Sequence, residues 1–207
     1  REGIECHFAK GGTLEVAIAP FHVKGMQEHM ALHHELGFSE DDYRWLPADE
    51  AQERVGMTPN FGATYTPHCA VIHPARLVKG LGRVVRTKGV KIYEGTPVTE
   101  MASGYVDTDK GRVSAAKIIR ATEGYTESIK GQERQMLPRY SMMVATEPLP
   151  AHVWDEIGLA NRETFGDSRR VTIYGKTTDD GRLAVGGRAG SGDGARRRGL
   201  TPRHTPM

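Results

Sequence analysis

The sequence predicts a mixed fold of the α/β (α+β) class, a partly helical portion interleaved with a mostly antiparallel sheet flanked by helices on one face. Three observations carry that prediction. Residues 75–88 form one strong helical stretch that Pro74 opens and Gly89 stops. Leu14, Val16 and Ile18 alternate with Glu15 and Ala17, the period-two pattern of a half-buried strand. The turn signals Asp109-Lys110-Gly111-Arg112 and Asp179-Asp180-Gly181 each separate two extended runs, as hairpins require. The resulting β-α-β-β-β order with an extended insertion fits a layered mixed architecture.

Along the chain, residues 3–8 and 13–19 read as two strands around the glycine-bearing turn Ala9-Lys10-Gly11-Gly12. Pro20 then opens a helix that Gly37 ends, with Met26, Met30 and Leu36 near helical spacing. A short turn at Ser39-Glu40-Asp41-Asp42 follows. Residues 47–56 read as a helix, with Asp49 and Glu50 in its first turn and Gly56 after its end. Residues 61–72 are extended, and helix 75–88 comes next, with Leu77, Leu81, Val84 and Val85 along one face. Short strands are then expected at 91–94, 98–101, 105–108, around Val113, at 117–121 and at 139–147. A helix is expected at 151–157 and a hairpin of 171–176 with 182–185. From Gly190 the apolar pattern stops, and such a composition cannot repay its ordering entropy, so residues 189–207 are expected to be a disordered tail.

The chain has 207 residues, 38% hydrophobic and 26% charged, enough for one generous domain or two small ones. No apolar run approaches the ~20 residues of a membrane helix, and no secretory signal opens the chain. Cys6 and Cys69 are too few for a disulfide framework and suit a reducing compartment, so a cytoplasmic protein is expected. The formal charge of +2 is unevenly placed: residues 188–207 hold five arginines against Asp193, leaving the body mildly acidic. Arg196-Arg197-Arg198 has no interleaved aromatic residues, so a solvated tail is expected rather than a nucleic-acid site. His29 and His33 have the i, i+4 spacing of a zinc pair, but HExxH is absent and no third ligand is obliged to join, so no metal is expected. His68-Cys69 is no catalytic pair, because adjacent strand residues point to opposite faces.

Tyr65-Thr66-Pro67-His68-Cys69-Ala70-Val71-Ile72-His73-Pro74-Ala75-Arg76-Leu77 resembles the D-amino-acid-oxidase-like family of FAD-dependent oxidoreductases. The bacterial γ-glutamylputrescine oxidase branch is the nearest likeness. The likeness continues through Gly95-Thr96-Pro97-Val98 and residues 118–126, then residues 143–149 and 180–188, covering about residues 1–188. It implies a partial FAD/NAD(P)-binding nucleotide fold over residues 73–130, between substrate-domain portions at 1–72 and 131–188. It also implies FAD as cofactor, a small-molecule amine or amino acid as substrate, and hydride transfer to the flavin, with neither membrane nor nucleic acid as partner.

The resemblance places Val98 on a strand whose backbone pairs with the adenine edge; Val98 as plain core residue is the alternative. Ala121, Thr122, Glu123 and Gly124 stand where a strand runs into a helix start beside the dinucleotide, and an ordinary strand-to-helix turn competes with that reading. Gly186 and Gly187 are implied to face the flavin or substrate with Arg188 as a nearby cation, against a β-bulge as the competing explanation. No catalytic residue is identified. A pyrophosphate grip needs G-x-G-x-x-G between strand and helix, and no such run exists, so the chain reads as a fragment inactive on its own. The rival reading is a non-catalytic module without FAD that acts through its surface or its Arg-rich tail.

Overall fold

The computed structural model describes residues 2–137, 141–169, 171 and 173–188. The expected tail, 189–207, lies outside the described residues. Contacts divide the chain into two compact units, Arg1–Glu2 with Val78–Tyr140 and Gly3–Leu77 with Ser141–Met207.

The larger unit is built on a seven-stranded sheet. Its strands are β1 (Thr13–Val16), β2 (Arg44–Leu46), β3 (Ala63–Thr66), β7 (Ser141–Ala145), β8 (Thr164–Asp167), β9 (Ile173–Thr177) and β10 (Leu183–Arg188), in the order β2-β3-β1-β8-β9-β10-β7. Among the described residues only the β1–β8 pair is parallel. Period-two alternation sends Leu14 and Val16 to one face, where they meet Leu46, Ala63 and Phe165 together with Ala51, Val55 and Leu159. Helix α2 (Ala48–Arg54) supplies Ala51 to that core. Helix α1 (Pro20–Glu35) starts at proline as expected, yet buries no residue completely. Helix α4 (Ala151–Ile157) has the expected bounds.

The first expected hairpin does not form. β1 already has β3 on one side and β8 on the other, so no lateral place is left for residues 3–8. They run beside 71–73 instead: Ala9 bridges Val71, and the His73 amide donates to the Cys6 carbonyl at 2.7 Å. β2 and β8 were not legible. The Arg-Trp-Leu of β2 is too short for a pattern, and the Gly166 and Asp167 of β8 are weak strand formers placed by their neighbours.

Helix α3 (Pro74–Thr87) is the expected one, ended by Gly89 at φ 84°. The smaller unit contains the antiparallel meander β4 (Val98–Ala102), β5 (Tyr105–Thr108), β6 (Gly111–Ser114). A 3₁₀ turn, Glu123–Ser128, follows, and buried Thr126 and Ile129 anchor it. The strands expected at 91–94 and 117–121 are absent: neither stretch has a pairing partner among the described residues, and Ile119 is 91% exposed. The mixed α/β class is thus confirmed, with a parallel–antiparallel sheet and a second, antiparallel one. Among the described residues no helix is long and apolar enough to cross a membrane.

Candidate functional site

Register puts one row of side chains on the sheet face opposite the core. Thr64, Glu15, Gly166, Tyr174, Gly186 and Met143 lie side by side across β3, β1, β8, β9, β10 and β7. The next row holds Thr13, Thr164 and Lys176. Over these rows opens a cavity of about 820 Å³, whose wall also takes in His7, His73, Arg162 and Asp179. That volume lies in the range of small-molecule sites, ~300–1,000 Å³. A smaller cavity of about 390 Å³ adjoins Glu15, Tyr43 and Thr64 on the α1 side, with His22 and Ser168 in its wall.

Glycine shapes the floor. Gly166 leaves a gap between Glu15 and Tyr174, because the residue at that register position has no side chain. At Gly186 a Cβ would lie 2.5 Å from the Tyr174 ring and 2.9 Å from Met143 Cγ. The strand register runs without a shift through Gly186 and Gly187, so no β-bulge is present there. Gly186 is glycine because the ring of Tyr174 lies across it.

The charges are arranged at opposite sides of this floor. Burial pushes the Glu15 carboxyl above its ordinary range; His29 opposes the shift and Asp167 adds to it. Burial, with the Arg162 guanidinium nearby, lowers the Lys176 ammonium below its ordinary value. Lys176 Nζ donates to the Ile72 carbonyl at 2.6 Å. Arg162 sits at φ 60°, a left-handed conformation that an arginine holds only where its surroundings impose it. From there it donates to Asp179 at 3.1 Å and to the His7 carbonyl at 3.3 Å. Arg162 Nε and Thr177 Oγ1 are buried with no hydrogen-bond partner among the described residues. Sequence reasoning missed Glu15, Arg162, Tyr174 and Lys176. The only signal for Glu15 was its place as the polar member of an apolar alternation.

The other expected site residues belong to the smaller unit. Val98 is half-buried at the start of β4, opposite Thr108, just before an irregularity in register. Ala121 and Thr122 lead into the 3₁₀ turn that Glu123 begins at φ 42°. The Gly124 amide donates to the carboxylate of Glu123, and Thr126 Oγ1 donates to the Glu123 carbonyl at 2.6 Å. Beyond the turn, the Lys130 amide donates to the Thr99 carbonyl at 3.0 Å, tying this segment to β4 next to Val98. The strand expected to lead into Ala121 is missing, so these residues are presented by a loop. The side chain of Arg188 lies outside the described residues. His29 and His33 stack edge to face at 4.6 Å, and His33 Nδ1 donates to the His29 carbonyl at 2.9 Å. Among the described residues no group of three His, Cys, Asp or Glu could hold a metal ion.

The sequence profile of the FAD dependent oxidoreductase family (DAO) matches residues 1–206. The chain belongs to this family. A probable oxidoreductase OrdL of Rhizobium meliloti is 32% identical over 152 residues, 70% of this chain and 34% of that protein. The γ-glutamylputrescine oxidoreductase of Escherichia coli is 25% identical over 192 residues, 90% of this chain and 44% of that protein. Glycine oxidase from Geobacillus kaustophilus superimposes with a TM-score of 0.69 at 19% identity, over 92% of this chain and 51% of that one, which shows the fold. The chain therefore spans about a third to a half of the length of these relatives. FAD is the family's cofactor. Arg162 Nε and Thr177 Oγ1, buried atoms of residues that line this cavity, are polar groups that a small bound molecule could engage. The pyrophosphate finds no glycine-rich strand–turn–helix in this sequence.

Proposed function

We propose that this chain is part of an FAD-dependent oxidoreductase that oxidises an amine or amino acid at the carbon bearing nitrogen. One observation carries the reading: in a member of this family, the open face of the seven-stranded sheet forms a roomy cavity with charged groups on its floor and rim. FAD, when bound, supplies the acceptor for the two electrons and the hydrogen leaving that carbon. The chain's own residues do the positioning. Val98 and Ala121 to Gly124 hold the adenosine end through backbone N–H and C=O groups and small side chains. Gly186, Gly187 and Arg188 belong to the strand of the larger unit on the flavin or substrate side, where the Tyr174 ring, lying across Gly186, is the surface a ligand meets. The cavity wall excludes water and fixes the amine, which supplies orientation rather than bond-making chemistry. The reacting amine must be neutral, since an ammonium has no lone pair to stabilise the developing iminium, so activity rises with pH.

The fragment reading extends this proposal. The glycine-rich pyrophosphate loop is missing, and Ile119 and Leu137 of the smaller unit lie in solvent as apolar loop residues awaiting a covering layer. The test is titration of the purified chain with FAD, following quenching of flavin fluorescence. Binding that Val98→Asp weakens at least ten-fold supports the reading. A chain that leaves the flavin fluorescence unchanged refutes the assignment of the adenosine end to Val98 and residues 121–124.

A further inference from the structure

The cavity of the larger unit has its opposite charges far apart. Glu15 is on β1 and Lys176 on β9, two strands across and two residues along, a Cα separation of roughly 12 Å by ordinary strand spacing. On β8 between them stand Gly166, which has no side chain, and Thr164, whose small side chain lies beside Lys176. Lys176 Nζ donates to the Ile72 carbonyl, and among the described residues no second hydrogen bond engages its other two N–H donors. Arg162 adds a second cation at that side, partly balanced by Asp179, which also lies 3.6 Å from His7 Nε2. Asp180 at the same rim is already engaged by Arg182 and Thr178. At the other side Glu15 lines both cavities, with His29 and Asp167 close enough to act in opposite senses on its carboxyl.

We propose that this cavity is a two-point site for an ω-amino carboxylate. The amino group docks at Glu15 as the ammonium and gives up one proton to solvent before it can react, the carboxylate lies at Lys176 with Arg162, and the methylene chain crosses the Gly166 gap beside Tyr174. This rests on the reading of the cavity as the substrate site and goes beyond it by naming the substrate class. An α-amino acid carries its ammonium and carboxylate on one carbon and cannot reach both ends. A zwitterion with separated charges satisfies both, and each charged contact in a partly desolvated site contributes more than a neutral hydrogen bond. Tyr174, held down on Gly186, gives the methylene chain an aromatic wall.

The experiment is isothermal titration of the chain, without FAD, with four probes: 6-aminohexanoate, its isomer norleucine, hexylammonium and hexanoate. The expected result is 6-aminohexanoate binding at least ten-fold tighter than norleucine. Glu15→Gln should weaken 6-aminohexanoate and hexylammonium about ten-fold and leave hexanoate unchanged. Lys176→Met should weaken 6-aminohexanoate and hexanoate by a similar factor and leave hexylammonium unchanged. Circular dichroism of each variant confirms the fold, and the probe each variant leaves unchanged serves as its internal control. Norleucine binding as well as 6-aminohexanoate, variants that weaken all probes alike, or no binding of any probe overturns the proposal. Since FAD is left out, a chain that takes 6-aminohexanoate but not FAD overturns the flavin reading alone, and the converse overturns only the two-point site.

Discussion

Glu15 shows how a single residue can serve a site at the expense of the fold. Its carboxyl titrates above the ordinary range because surrounding protein disfavours the charged form. Below the unfolded-state pKa, both folded and unfolded chains hold it protonated and it contributes nothing to pH dependence. As pH rises past that point the unfolded chain releases its proton more readily, so stability falls until the folded pKa is passed. Glu15→Gln should therefore raise the melting temperature at pH 7, with the gain vanishing below the ordinary glutamate range. A scan over pH at fixed ionic strength reads this directly; a destabilised variant at pH 7 would contradict it. Asp42 and Asp180 behave in the opposite sense. The Ser39 backbone amide and His68 hold Asp42 at about 2, and the Thr178 hydroxyl and Arg182 hold Asp180 at about 2. Their folded pKa is depressed, so their contribution is whole above about pH 4 and disappears as pH falls toward 2. Asp42→Asn should flatten the acid limb of the stability curve between those values, its cost being present in full at pH 7, modest because the pair is largely exposed, and gone by about pH 2.

At the scale of elements, two glycines separate backbone demands from tolerance. Gly11 leads into β1, and a Cβ there would meet the Asn161 carbonyl oxygen at 2.3 Å and the backbone of Arg162 and Glu163 at 2.7 Å. Main chain cannot yield as a side-chain tip can, so Gly11→Ala should destabilise the larger unit by about 3 kcal/mol in urea unfolding. Gly82 lies inside α3, where an added Cβ would meet nothing within 4 Å, and there Gly82→Ala should add roughly 0.5–1 kcal/mol. The same distinction governs what the sequence could reveal. Helices α2, α3 and α4 were legible because proline, acidic first turns and terminal glycines are local signals. β5 and the β9–β10 hairpin were legible because alternation and turn are also local. β8 was not, since Gly166 and Asp167 belong to a strand only by virtue of lying parallel to β1. The segment at 3–8 misled for the converse reason: its apolar pattern suits a strand, but both edges of β1 are taken. The candidate site divides in the same way. Val98 and Gly124 are proposed from a continuous family likeness, whereas Glu15, Arg162 and Lys176 come to line one cavity only through sheet register and a left-handed loop residue, neither of which a linear pattern encodes.

At the scale of the whole molecule, the two units differ in how much holds them together. The larger has the contiguous cluster of Leu14, Val16, Leu46, Val55 and Phe165. Among the described residues, the smaller buries only Gly80, Thr126 and Ile129. A unit with so small a core should open at lower temperature, so calorimetry should resolve two transitions rather than one. Ligands then report where they bind, because a ligand that binds only the folded form stabilises it by about 2.7 kcal/mol at a hundred times its Kd. FAD held by Val98 and residues 121–124 should shift the lower transition upward by ~5–10 °C. 6-Aminohexanoate held in the sheet cavity should shift the upper transition and leave the lower where it was. Val98→Asp should abolish the first shift without touching the second, and Lys176→Met the reverse. A single transition moved by both ligands would show that the chain unfolds as one cooperative body, and the expectation of two separately melting units would then fail.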